Sequence, residues 1–412
     1  YYKYILKNVN LKVKMNKKKL STKLIKGGTS RSKFMETSDP LFLTSGFIYE
    51  SAEEAEKSFR EEKERFMYSR FGNPTVETFQ KKMALLEEAE ECWGTATGMA
   101  ALFTIFMSYL NNGDRVVSSR ALFGSCHHIV TQILPRFGIE VVLVDGTNLN
   151  EWEKALKKKT NIVFFETPSN PCLDLVDIKE VSKLAHQAGA LVVVDNVFAT
   201  PILQKPLKHG ADIVMYSATK HIDGQGRVLG GAILASKKFC KDFIKPFIRN
   251  TGPSLSPFNA WVLLKGIETL ELRVKQQTKS AKKIVNYLKQ SLKIKRIYYP
   301  TDSSFKQKQI TKRQMLDGGS IISFELKSQK EKEKKIAFSF LNNLKLIEIS
   351  NNLGDSKTLV THPETTTHHK LSSDEKISLR ITKNLVRLSV GLEDSTDIIE
   401  DIDNALKKAK EK

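Results

Sequence analysis

No apolar run in the sequence approaches the roughly 18 residues that a membrane-spanning helix requires, so an integral helical membrane protein is excluded as a class. Cysteine is scarce. Cys92, Cys126, Cys172 and Cys240 are widely spaced and form no C-x-x-C pair, a pattern of free thiols rather than of a disulfide framework or a Cys-ligated zinc site. The histidine pairs His127/His128 and His368/His369 are adjacent in the chain, so on a helix neither pair shares a face, and no metal is expected. Acid is the minority charge: 46 Asp and Glu stand against 66 Lys and Arg, a net +20. Much of the excess lies in helical-looking Lys-rich segments, which read as solvated faces. No zinc-finger or RNP-type motif accompanies it, so nucleic acid is not an expected partner. The opening stretch is basic, with seven lysines and no acid in its first 20 residues. It lacks the continuous apolar core and small-residue cleavage site of a secretory signal. Residues 1–14 read as an extension or a disordered arm, and a cytoplasmic location is expected.

What is present begins to organise from about residue 76. Short apolar runs stand at "DRVVSS", "IEVVLV", "NIVFFE", "ALVVVD", "DIVMY" and "GGAILA", with helical stretches such as "VETFQKKMALLEEAE" and "IKEVSKLAHQAG" between them. The Val/Ile runs are too continuous for half-exposed strands. They predict an α/β fold with a mainly parallel sheet covered by helices on both faces. Beyond about residue 269, amphipathic helices followed by "SIISFEL", "LKLIEI" and "LVRLSV" predict a smaller C-terminal α+β domain. The expected division is an N-terminal arm at 15–75, a large domain at 76–268 and a small domain at 269–412. In such a sheet, ligands bind beyond the carboxyl ends of the strands.

The loops at those ends are rich in polar and small residues. "YSATKHIDGQGRVLGG" follows the run "ADIVMY" and carries Lys220 directly after a buried strand. Desolvation there would depress the amine's pKa and make it a nucleophile able to form a Schiff base. Ser217 and Thr219, two residues apart, share one face if the segment is extended, where their hydroxyls suit a phosphate. A turn capped by Ser and Thr fits the same residues. Asp195 ends "LVVVD", as a helix cap or as the partner of a protonated pyridine nitrogen. In "GTATGMAALF", Gly98 and Met99 open a helix whose first N–H groups suit an anion. Phe123, in "LFGSC", is a core residue or a stacking platform. In "MYSRFGNPT", Tyr68 and Arg70 point the same way if the arm is extended, and the arm reads as reaching a neighbouring subunit. Arg387, within "LVRLSV", holds a carboxylate bidentately or forms an ion pair inside its domain.

These segments resemble, in order, the Cys/Met-metabolism enzymes that use pyridoxal phosphate. "YSRFGNPT", "TGMAA", "ETPSNP", "VVDNVFATP", "YSATKHIDGQGRVLGG", "THPETTTH" and "VRLSVGLED" carry the resemblance from about residue 22 to 397. It implies the aspartate aminotransferase-like fold type I of pyridoxal-phosphate-dependent transferases, with a seven-stranded type of sheet. It also implies a homo-oligomer, a tetramer built as a dimer of dimers. On this resemblance Lys220 carries pyridoxal 5'-phosphate and acts as the catalytic base, and Asp195 pairs with the ring nitrogen. Gly98, Met99, Ser217 and Thr219 hold the phosphate, reached by Tyr68 and Arg70 of the adjacent subunit. Phe123 stacks on the ring, Asn170 lies near its hydroxyl, and Arg387 and Asn352 bind substrate. "HIDGQGRVLGG" and "SNNLGDSKTLVTHP" are most similar to the family's O-succinylhomoserine sulfhydrylases, which implies O-succinylhomoserine and sulfide as substrates. Cystathionine γ-synthase and the methionine and cystathionine γ-lyases are the alternatives within the family. Phe123 stands where most relatives have Tyr, and Val197 where Thr is usual. Arg227 is a candidate contact for the succinyl carboxylate.

Overall fold

The computed structural model describes residue 15 and residues 17–410; the expected extension at 1–14 lies outside the described residues. The strands β1 (Glu91–Thr95), β2 (Arg115–Ser119), β3 (Glu140–Val144), β4 (Ile162–Glu166), β5 (Leu191–Asp195), β6 (Ile213–Ser217) and β7 (Gly231–Ala235) form a sheet in the order β1-β7-β6-β5-β4-β2-β3. The pairs β2·β3, β2·β4 and β4·β5 are parallel, and β1·β7 is antiparallel. Every residue of β2, β4 and β7 is buried, as the unbroken apolar runs required. All six predicted runs form strands, and the α/β fold class holds. β1 was not anticipated: "ECWGT" has no continuous apolar run, and its strand form depends on the ladder with β7. Among the described residues no helix is long and apolar enough to cross a membrane.

The chain divides into two compact units. Of the described residues, one comprises 15, 17–109, 215–219 and 227–269, and the other 110–214, 220–226 and 270–410. In the first unit, the helix Pro74–Glu87 starts where the side chain of Asn73 accepts from Thr75 N (2.9 Å), with Pro74 pre-set for the first helical position. The preceding arm is tied down locally. Trp261 Nε1 donates to Asp39 O (2.9 Å), Phe42 N donates to Thr75 Oγ1 (2.9 Å), and buried Lys82 pairs with Asp39 at 3.5 Å.

The second unit contains the parallel strands β2 to β5 and a separate five-stranded sheet. That sheet runs β10-β11-β12-β9-β8, with β8 at Ile294–Tyr298, β9 at Ile321–Leu326, β10 at Glu348–Ile349, β11 at Leu359–Thr361 and β12 at Leu385–Ser389. "SIISFEL" and "LVRLSV" become β9 and β12. "LKLIEI" contributes only the two residues of β10, because Leu344 and Ile347 turn into the core cluster instead. The helices Leu270–Gln290, Glu333–Asn343 and Ser395–Lys408 supply the other half of that core. Phe324 of β9 is fully buried there and meets Phe340 edge-on at 6.0 Å between centroids. Phe324→Ala is expected to destabilise this unit by about 3–5 kcal/mol through the cavity it leaves. Chemical denaturation checks this; a change under about 1 kcal/mol would mean that the core refills the cavity.

Candidate active site

Within the second unit, the end of β5 delivers Asp195 and the end of β4 delivers Glu166, its register partner on the adjacent strand. Asp195 Oδ1 accepts from Val197 N at 3.0 Å. Burial pushes the Asp195 carboxyl up to about 7. Glu166 Oε1 accepts from Phe123 N at 2.6 Å, which fixes the loop that presents the Phe123 ring. The Cys126 thiol belongs to the same cluster, with Sγ and the two carboxylates all within 4.8 Å of one another. Such a trio is compact enough to hold a metal ion, but burial raises the thiol well above its ordinary range, and it stays protonated. Glu166 ends "NIVFFE" as Asp195 ends "LVVVD", but its role beside Asp195 depends on which strands pair, and the sequence alone does not report that.

Lys220 begins the segment 220–226 of this unit. Its turn is closed by Gly224 N donating to Lys220 O at 2.8 Å. Lys220 Nζ donates to Asn352 Oδ1 at 2.5 Å. Burial, with the positive charge of Arg387 second, lowers the amine to about 8. The loop carrying Asn352 can approach this closely because of Gly354. Its φ is +72° and a Cβ there would lie 2.7 Å from His221 N, so both conformation and space require glycine. Beside Lys220, His221 is buried, bonds Ser320 Oγ through Nε2 at 2.8 Å, and is lowered to about 3 by burial and then Arg273, so it is neutral.

Arg387 of β12 is 2% exposed. Nη1 donates to Asn170 Oδ1 (2.9 Å) and Nη2 to Asn351 O (3.0 Å) and Asn352 O (3.4 Å), while Nε has no partner. Among the described residues no carboxylate pairs with it, so the intradomain ion pair is not formed. Burial alone lowers the guanidinium to about 10, which leaves it charged at neutral pH. A buried cation with a free donor is suited to an anion. Asn170 and Asn352 are therefore the residues that orient Arg387 and Lys220.

Within the first unit, the helix Gly98–Tyr109 is capped by Thr97, whose Oγ1 accepts from Ala100 N at 2.9 Å. A Cβ at Gly98 would come within 2.6 Å of Ser217 Cβ, so only glycine lets the end of β6 lie against this helix start. Gly98, Met99 and the Ser217 hydroxyl thus flank a helix N-terminus, a cradle suited to a phosphate. The expectation that Ser217 and Thr219 share an extended face is not met. Ser217 ends β6, and Thr219 lies in the turn that follows. Thr219 Oγ1 is braced on Gly230, accepting from its N–H at 3.1 Å. Tyr68 and Arg70 are not extended either, since Phe71 N and Gly72 N both turn back to Tyr68 O (2.8 and 3.1 Å). The turn still brings the pair together. Arg70 lies 5.5 Å from the Tyr68 ring centroid and 4.9 Å from that of Phe71, and it donates to Arg249 O. Arg227 is exposed.

Residues 21–407 match the family described as Cys/Met metabolism PLP-dependent enzyme, and the chain belongs to that family. It is 50% identical over 382 residues (93% of this chain, 94% of the relative) to O-succinylhomoserine sulfhydrylase of Mycobacterium tuberculosis. It is 42% identical over 391 residues (94% and 98%) to L-methionine gamma-lyase of Fusobacterium nucleatum subsp. polymorphum. A Campylobacter jejuni structure, assigned to O-acetylhomoserine (thiol)-lyase and carrying N'-pyridoxyl-lysine-5'-monophosphate, superposes with a TM-score of 0.88 at 30% identity, covering 94% of this chain and 99% of its own. The chain is a pyridoxal-phosphate-dependent enzyme, and the desolvated lysine and strand-end acid of the second unit fit that cofactor.

Proposed function

We propose that the enzyme is an O-succinylhomoserine sulfhydrylase, which replaces succinate at Cγ by sulfide to give homocysteine in methionine biosynthesis. The observation that carries this reading is the 50% identity, across nearly the whole of both chains, to an enzyme of that name. Bound pyridoxal phosphate supplies an electron sink for the charge released at the substrate's Cα. Lys220 would hold the cofactor through its amine. With its amine depressed to about 8, the free side chain would be suited to accept the Cα proton and return one. Asp195 keeps the ring nitrogen protonated, and Phe123 offers a ring face without a hydroxyl, which leaves proton transfer to Lys220. Gly98, Met99, Ser217 and Thr219 hold the phosphate, Asn170 lies by the ring hydroxyl, and Arg387, set by Asn352, takes the substrate carboxylate.

The same reading makes the protein a cytoplasmic homotetramer in which the arm at 15–75 covers a neighbouring subunit and brings Tyr68 and Arg70 to its phosphate. The arm's exposed apolar side chains, among them Phe34 (80% exposed), Leu43 (70%) and Ile48 (91%), support a covered face. Purified enzyme given O-succinylhomoserine and sulfide is expected to release homocysteine and succinate. The Fusobacterium relative favours a second reading, a γ-lyase. Elimination without an added nucleophile, or acceptance of cysteine alone, would overturn the sulfhydrylase assignment.

A further inference from the structure

We infer that Glu166 is a positioning residue that carries the proton of a Glu166–Asp195 pair, so that Asp195 alone presents a negative charge to the cofactor ring. The inference rests on the assignment of Asp195 to the ring nitrogen.

The geometry forces a shared proton. Glu166 and Asp195 are register partners at the carboxyl ends of adjacent parallel strands, so their side chains leave the sheet on the same face. Their carboxylate oxygens lie within 4.8 Å of each other, and Glu166 is only 5% exposed. Among the described residues no lysine, arginine or histidine forms an ion pair with either carboxylate. Two like charges this close and this dry cannot both persist.

The surroundings decide which acid keeps the proton. Burial first, and Asp195 second, raise Glu166 well above the carboxylate range, whereas Asp195 reaches about 7. A protonated ring nitrogen beside Asp195 would hold that carboxylate ionised and widen the gap. The third group of the cluster among the described residues is the Cys126 thiol, from the helix Gly124–His128, and it is neutral. Glu166 also accepts from backbone N–H groups, Phe123 N on Oε1 and that of Asn170, and is hydrogen-bonded with the Cys126 thiol. Glu166 therefore does two things without touching substrate. It pins the loop that bears the stacking ring, and it stays neutral so that one negative charge, not two, faces the ring.

Three variants of the full-length holoenzyme test this. In Glu166→Gln, a neutral isostere that still accepts from Phe123 N, the infrared C=O band of a protonated carboxyl seen in the wild type at neutral pH is expected to disappear. The chemical shift of a 15N-labelled cofactor ring nitrogen is expected to stay where it is. In Asp195→Asn the infrared band is expected to persist while the 15N shift moves to that of an unprotonated ring. Glu166→Gln is also expected to recover cofactor affinity by about tenfold over Glu166→Ala, because alanine leaves the Phe123 N–H buried without an acceptor. A band that survives Glu166→Gln, or a 15N shift in that variant as large as in Asp195→Asn, would overturn the inference while leaving Asp195 at the ring. An unmoved 15N signal in Asp195→Asn would instead remove Asp195 from the ring nitrogen, and the premise with it.

Discussion

Replacing Lys220 by alanine is expected to lower turnover by about a thousandfold or more, because one side chain is asked both to hold the cofactor and to shuttle the proton. The cofactor's visible absorbance in its lysine-bound form should vanish with it. The wild-type amine adds a pH signature. Burial and the charge of Arg387 lower it to about 8. The neutral, reactive form therefore accumulates as pH rises through about 8, well below the range of an exposed lysine. Cofactor uptake by the resolved enzyme should speed up through that window and level off above it. A rate still climbing towards pH 10 would mean that Lys220 is not desolvated. Retained turnover in Lys220→Ala would remove the residue from its role.

Arg387→Ala is expected to cut kcat/KM for the amino-acid substrate by about a hundredfold or more, mostly through KM. A buried charge-assisted pair with a carboxylate is worth about 3 kcal/mol when one partner is removed. Arg387→Lys should recover little, since a point charge cannot form the fork that meets Asn170 and Asn351 and is proposed to meet the substrate carboxylate. The deciding control is a substrate whose α-carboxylate is replaced by a carboxamide. The wild type should discriminate against it strongly and Arg387→Ala should not. Equal losses with both substrates would show that the variant only disturbs the fold around Asn170 and Asn352. A guanidinium 2% exposed, with Nε unpartnered and no carboxylate paired with it among the described residues, is what motivates the prediction.

Much of this was legible in one dimension. The continuous Val/Ile runs reported strands buried on both faces, since only such strands dispense with polar alternation. Acids and a lysine placed directly after those runs reported the ligand-binding edge of the sheet. What stayed hidden depended on pairing. β1 has no run of its own and exists through its ladder with β7. "LKLIEI" has the pattern of a strand, yet its leucine and isoleucine were claimed by a core assembled from distant helices. Spacing misled wherever it presumed extended chain. Tyr68 and Arg70, and Ser217 and Thr219, lie on turns rather than straight segments.

The sequence by itself determined the six apolar strands β2 to β7, the position of Asp195 at a strand end and of Lys220 in the turn after one, and, through its ordered motifs, the cofactor class. These are local matters of burial pattern and residue type. Only the tertiary structure decided the electrostatics. Asn352, from a loop 132 residues away, meets Lys220. Asn170, 217 residues from Arg387, holds its guanidinium. Glu166 became the neighbour of Asp195 because β4 pairs with β5. A pKa responds to dielectric and to charges a few ångströms away, and sequence separation carries no information about either.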